Sequence, residues 1–192
     1  MSSHHIVREK QEPALLIIDL HNFDEEYLGQ LLEWSPMVMV AYHEFDKVAS
    51  LGIKIDTVIC PEEINSIPFQ EHIKVVNYQT DVLNEALNYL YAEGFPAVNV
   101  IDKHFAANQY QLYVDKIDLV IFNGDEKIYP IKSGFTKWKP QNEEIIVLQR
   151  EPIQDFSTTG LNHLQKNNYQ TEKDGFFGFT FNQPFIFITE KI

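Results

Sequence analysis

Five short apolar runs recur through the first half of the chain: "PALLIIDL" (13–20), "MVMVAY" (37–42), "IKIDTVIC" (53–60), "HIKVV" (72–76) and "AVNVI" (97–101). Runs of this length, bounded by polar or turn residues, are the signature of strands buried inside a sheet. Most of the gaps between them carry helical spacing. Tyr27, Leu28, Leu31 and Leu32 form one apolar stripe, with Asn22 expected as the helix cap and Glu25 three residues on. Phe45, Val48 and Ala49 form a second inward face over 44–51, ended by Gly52. The clearest helix is predicted over 81–93, where Asp81 stands at the start, Val82, Leu83, Ala86, Leu87 and Leu90 share a face, and Gly94 ends it. Alternating strands and helices predict a largely parallel sheet.

Past about residue 133 the texture changes. Residues 105–114 read as a weak helix, and "LVIFNGDEKIYPI" (119–131) as a hairpin or strand pair around Asn123-Gly124. Thereafter "EEIIVLQR", "GFFGFTF" and "PFIFITEKI" are short β-rich runs between polar turns. The expected organisation is an α/β domain over 1–125, with a mostly parallel sheet, followed by an all-β sandwich over 126–192. Along "GFFGFTF" the two-residue strand period sets Phe177, Phe179 and Phe181 on one face and Phe176 on the other.

Charge and cysteine content narrow the function classes. The net charge of −13 disfavours a nucleic-acid partner, because an acidic surface repels phosphate backbones. No apolar run approaches the length of a membrane span, and "MSSHHIVREKQEP" lacks the apolar centre of a signal peptide, so a cytoplasmic location is expected. The single cysteine, Cys60, excludes an intrachain disulfide and most cysteine-based metal sites, and reads as a small buried residue. No phosphate-cradling glycine loop, nucleophile elbow or zinc-type histidine pair is present. His43, His104 and His163 stand isolated in sequence.

Ligands of open parallel sheets bind beyond the carboxyl ends of the strands. Those ends read Asp19-Leu20-His21, Tyr42-His43-Glu44, Cys60-Pro61-Glu62-Glu63 and Asn77–Asp81. Glu62 or Glu63 and Asp81, with Asp19 or Glu44, supply the oxygen ligands that Mg²⁺ takes, usually as one or two carboxylates plus substrate phosphates. Each acid also has an ordinary reading: Asp81 as a helix cap, Glu62 and Glu63 as a solvated turn.

Three segments together resemble the thiamine pyrophosphokinase family, in the family's order, from about residue 14 to the end. "VMVAYHEFDKVASLGIKIDTVICPEEI" is similar to the stretch in which a strand ends in Asp-Gly-Gly-Ala, a helix ends in Leu-Gly-Ile-x-Pro-Asp, and the next strand ends in Gly-Asp-x-Asp-Ser. "YQTDVLNEALNYLYAEG" is similar to a Thr-Asp that precedes a helix and a glycine, and "DFSTTGLNHL" to the Thr-x-Gly-Leu segment of the β-sandwich.

The resemblance implies an α/β half that binds ATP and Mg²⁺, a β-sandwich that binds thiamine, a homodimer with composite sites, and transfer of pyrophosphate from ATP to thiamine with release of AMP. It implies Glu63 and Asp81 as the catalytic acids, Glu62, Glu63 and Asp81 as metal ligands, and Thr159, Gly160, Leu161 and His163 as the thiamine contacts.

The same alignment shows where the chain departs from the family. Tyr42-His43-Glu44 replaces Asp-Gly-Gly, and Cys60-Pro61-Glu62-Glu63 replaces Gly-Asp-x-Asp, so Pro61 stands where the first acid is needed. No Gly-Gly-Arg segment follows "AVNVI". A catalytically silent relative that binds a small molecule or a partner is therefore the alternative to an active kinase. Trp138, Phe176, Phe177 and Phe179 could line a ligand slot, or form sandwich core; an aromatic face turned to solvent would instead indicate a dimer contact.

Overall fold

The computed structural model describes residues 12–64, 72–148 and 152–192. The chain divides into two compact units, Met1–Gly124 and Asp125–Ile192.

The first unit contains β1 (Ala14–Ile17), α1 (Glu25–Leu32), β2 (Val38–Ala41), a 3-10 turn (Tyr42–Glu44), α2 (Phe45–Ser50), β3 (Thr57–Pro61), β4 (Lys74–Tyr78), α3 (Val82–Ala92), β5 (Ala97–Ile101), α4 (Ala107–Tyr110) and β6 (Asp118–Asn123). Its strands lie in the order β6-β5-β1-β2-β3-β4, and every neighbouring pair is parallel. All four residues of β1 and of β2 are buried, which explains why their sequences are apolar without alternation. β4 is the edge strand of this order and is largely exposed. Leu28 and Val48 from the helices join strand residues such as Val58 and Cys60 in one apolar core. Cys60 is fully buried, and burial pushes its thiol pKa up, so it is a poor nucleophile.

Local chemistry corrects three sequence expectations. The cap of α1 is Asp24, not Asn22: Asp24 Oδ1 accepts the Tyr27 N–H at 2.8 Å, while Asn22 adopts a left-handed turn conformation at φ 54°. In α2, Val48 is buried but Ala49 faces solvent. The weak helix over 105–114 contracts to the single turn α4. By contrast, α3 forms as read. The Asp81 side chain caps it, Leu83, Ala86, Leu87 and Leu90 are buried, and Gly94 adopts φ 79° past its end.

The second unit is all β: β7 (Glu126–Ile131), β8 (Phe135–Lys139), β9 (Glu144–Val147), β10 (Ser157–Thr159), β11 (Leu161–Gln165), β12 (Asn168–Thr171), β13 (Gly175–Thr180) and β14 (Ile186–Lys191). One antiparallel sheet has the order β11-β12-β9-β14-β7, and a three-stranded antiparallel sheet has the order β10-β13-β8. Side chains from both sheets build one core, with Ile131, Ile145, Ile186 and Ile188 from the first and Phe177 and Phe179 from the second. This is a β-sandwich. Phe177, Phe179 and Phe181 are buried, whereas Phe176 is 71% exposed, as the two-residue period requires.

The expected slot of Trp138, Phe176, Phe177 and Phe179 does not form. Phe177 and Phe179 belong to the core, while Trp138, 52% exposed, stands beside Phe176 in register on the outer face. Among the described residues no helix is long and apolar enough to cross a membrane.

Candidate functional site

In the first unit the chain builds outward from β1 through β2 and β3 to β4, then returns to place β5 on the other side of β1. The strand order therefore reverses between β1 and β5, where open α/β sheets offer a crevice. Asp19 follows β1 and Lys103 follows β5, and their charged groups meet at 2.5 Å. Burial alone would raise the Asp19 pKa, but Lys103 and the backbone N–H of His21 outweigh it and hold the carboxyl below its usual range. Beside it, the buried Asp102 accepts the His104 N–H at 2.8 Å and the Tyr110 hydroxyl at 3.0 Å. The end of β5 is missing from the four strand ends singled out in the sequence. Its signal there was the Asp102-Lys103-His104 run directly after "AVNVI".

At the carboxyl ends of β3 and β4 lies a polar cleft of about 340 Å³, lined by Glu62, Asn77, Gln79, Thr80, Asp81 and Glu85 among others. The backbone of Glu62 extends the parallel ladder by donating to the Tyr78 carbonyl at 3.1 Å, which carries its side chain to the cleft. The Gln79 amide donates to both Glu62 carboxylate oxygens, at 3.2 and 3.1 Å. Asp81 Oδ1 accepts the Asn84 N–H at 3.0 Å as the cap of α3. The Tyr113 hydroxyl ties the same first turn down at the Asn84 side chain, 2.5 Å away. A wider cavity of about 770 Å³ lies at the amino ends of β2 and β3, between Met37, Val38, Ile53 and Asp56. The carboxyl-end cleft is the better candidate because it lies beyond the carboxyl ends of the strands and holds both Glu62 and Asp81.

Of the expected catalytic and metal-binding acids, Glu62 and Asp81 thus share one cleft. Glu63 is exposed in the tight turn closed by Ile64 N–H on the Pro61 carbonyl at 3.1 Å, and it is not among the residues that line the cleft. At the end of β2, Tyr42–Glu44 forms the 3-10 turn. Glu44 Oε2 is buried without a hydrogen bond, 3.9 Å from Lys47 Nζ.

Among the described residues these acids are not gathered into a preformed Mg²⁺ site. Both Glu62 oxygens and one Asp81 oxygen already accept hydrogen bonds inside the fold, and among the described residues no three His, Cys, Asp or Glu side chains group as a metal site. Among the described residues the cleft lining also carries no cation that would receive a triphosphate, while Glu62, Asp81 and Glu85 repel one.

In the sandwich, Thr159 ends β10 and faces solvent, and Leu161 opens β11 half-buried against the core. Gly160 between them adopts φ 67°. His163 is exposed; its Nε2 donates to the Lys166 carbonyl at 2.7 Å, and its ring stands 5.1 Å from that of Tyr169. Tyr169 in turn meets Phe156 at 5.8 Å and Phe179 at 6.1 Å, so His163 is the outer member of an aromatic row. Gly160 is the member of the expected contact set whose role is visible in the backbone.

No protein-family model matches the sequence, and no curated relative matches it. Solved structures do. Thiamine pyrophosphokinase from Bacillus subtilis superposes with a TM-score of 0.65 at 14% identity, covering 93% of this chain and 98% of that one. Thiamin pyrophosphokinase from Geobacillus thermodenitrificans gives 0.68 at 10% identity, over 93% and 97% of the two chains. The Candida albicans enzyme gives 0.61 at 11% identity, over 94% and 89%. The resemblance read from three short motifs thus holds across nearly the whole chain at the level of fold: an α/β unit and a β-sandwich in the arrangement of elements that thiamin pyrophosphokinases have. At these identities the likeness is one of fold.

Proposed function

We propose that this chain is a thiamine pyrophosphokinase-like protein that binds thiamine or a related small cation and does not transfer pyrophosphate to it. One observation carries the reading: three of the strand-end carboxylates are already bonded within the fold. Asp81 caps α3, Glu62 is held by Gln79, and Asp19 is paired with Lys103. Carboxylates so engaged hold the scaffold in shape, and among the described residues they are not gathered into a group of three that could hold a metal. Pro61 and the Tyr42–Glu44 turn support the same reading, since they replace an acid and a pair of close-packing glycines. Losing a metal carboxylate or an electrostatic clamp costs about 10²-fold or more each in rate.

Binding belongs to the sandwich in this proposal. The row of His163, Tyr169 and Phe156 offers aromatic faces to a cationic ring beside Thr159 and Leu161. The homodimer that the resemblance implies is part of the reading, with the exposed Trp138 and Phe176 as its contact.

The test is to incubate the full chain with ATP, Mg²⁺ and thiamine, follow AMP, and titrate thiamine by calorimetry in parallel. Saturable thiamine binding with no AMP above the protein-free rate is expected. AMP formation that disappears in Glu62→Gln, Glu63→Gln or Asp81→Asn would overturn the proposal in favour of an active Mg²⁺- and ATP-dependent kinase. Absence of thiamine binding would overturn it in favour of a different ligand.

A further inference from the structure

One end of the sandwich interior is built of charge, and the thiamine reading does not use it. On β14, Ile186, Ile188 and Glu190 face the interior in succession; opposite them in register on β7 stand Ile131, Tyr129 and Lys127. From the other sheet, β8 sends Phe135, Lys137 and Lys139 inward and turns Thr136 and Trp138 out to solvent. The interior therefore grades from Ile131, Ile186 and Phe135 at one end to Lys127, Lys139 and Glu190 at the other. On β8 the usual pattern is inverted, with lysines inside and a tryptophan outside.

Glu190 is 5% exposed and serves two of the lysines. Its Oε1 pairs with Lys137, and its Oε2 lies 3.1 Å from Lys139 Nζ. Lys137 Nζ also donates to the Tyr129 hydroxyl at 3.3 Å, and Lys139 reaches Glu143 at the rim at 3.2 Å. Lys127 is left over. It makes no hydrogen bond or ion pair among the described residues, and it faces Glu190 across the strand pair. Burial and then the positive charge of Lys137 lower its pKa, against the pull of Glu190. Two ammonium groups pair with one buried carboxylate and a third lysine stands opposite it in register, in a chain that is otherwise strongly acidic.

We infer that this charged end is a binding site for a small oxyanion, either inorganic phosphate or the phosphate group of a larger molecule, received by the Lys127 and Lys137 ammonium groups beside the Tyr129 hydroxyl. With Glu190 and Glu143 engaged by Lys137 and Lys139, an oxyanion there gives Lys127 the close ion pair that it does not make within the described residues. The assignment is independent of the thiamine proposal, since it uses none of Thr159, Leu161 or His163.

The experiment compares thermal unfolding of the full chain in sodium phosphate, sodium pyrophosphate and AMP with sodium chloride at equal ionic strength, and measures each affinity by calorimetry. A saturable rise in Tm with phosphate is expected. Lys127→Met should unfold like the parent in chloride, because no bond is lost, while its phosphate affinity falls tenfold or more. Acetylation of Lys127 near neutral pH, read by peptide mass, should slow when phosphate is present, since the bound anion both covers the amine and raises its pKa. Tighter binding of AMP than of inorganic phosphate would assign the site to the phosphate group of a larger molecule; the reverse order would assign it to the free anion. No stabilisation beyond chloride, or an equal gain in Lys127→Met, would overturn the inference.

Discussion

Gly160 and Phe176 approach so closely that a Cβ on Gly160 would stand 2.5 Å from the Phe176 carbonyl oxygen. The backbone of Gly160 is also left-handed, at φ 67°. A glycine in the Thr-x-Gly-Leu segment is therefore required by the sandwich itself, before any ligand is considered. Gly160→Ala meets a steric clash and an unfavourable φ together, and should cost about 2–4 kcal/mol of stability. Urea unfolding of the variant and the parent measures this directly.

Asp81 separates a structural from a metal-binding carboxylate. Asn caps a helix about as well as Asp, so Asp81→Asn should change stability by only a few tenths of a kcal/mol, whereas Asp81→Ala should cost about 1 kcal/mol. A metal ligand would show a different signature, with Asn as damaging as Ala to Mg²⁺-dependent stabilisation. Denaturant midpoints with and without Mg²⁺ distinguish the two.

Tyr110 is buried with its hydroxyl on the Asp102 carboxylate, and burial followed by the Asp102 charge drives its pKa far up, so it remains a donor at any working pH. Tyr110→Phe leaves that buried carboxylate oxygen unpaired and should destabilise the first unit by about 1–3 kcal/mol. The loss should shrink in the double variant with Asp102→Asn, which a double-mutant cycle reads.

The Asp19–Lys103 pair has a pH signature. The Asp19 pKa is lower in the folded chain than in the unfolded one, so the pair's stabilisation is complete above the unfolded value, about 3.9, and is lost as pH falls through the folded value. Because Lys103 is 40% exposed, solvent screening holds the contribution to about 1 kcal/mol. Asp19→Asn should flatten the acid limb of a stability–pH profile below about pH 4 and leave its slope near neutrality unchanged.

Trp138 and Phe176 are cross-strand neighbours on the outer face of the three-stranded sheet. As the proposed dimer contact, they predict that the parent elutes as a dimer in light-scattering chromatography and that Trp138→Ser with Phe176→Ser elutes as a monomer. A parent that is monomeric at all concentrations removes the dimer from the proposal.

Much of the architecture was readable in the order of residues because its causes are local. Strand–helix alternation in the first unit, the cap and apolar face of α3, and the split of Phe176 from Phe177 and Phe179 all follow from spacing along a few turns or one strand. The misread cap at Asn22 has a local cause too: Asn is also a favoured left-handed turn residue, and Asp24 two positions on offers the better-placed oxygen. The position of the candidate site was readable for the same reason, since strand ends are marked by where apolar runs stop.

What those acids are bonded to was not readable, because their partners come from elsewhere in the chain. The sequence determined that Glu62, Glu63 and Asp81 stand after β3 and before α3. Only the tertiary structure put the Gln79 amide on Glu62, brought Lys103 across to Asp19, and left Glu63 outside the cleft lining. The lysines of β8 illustrate the same limit. Nothing in "FTKWK" says which alternate set faces inward, since a two-residue period fixes the partition of side chains but not which face the second sheet covers.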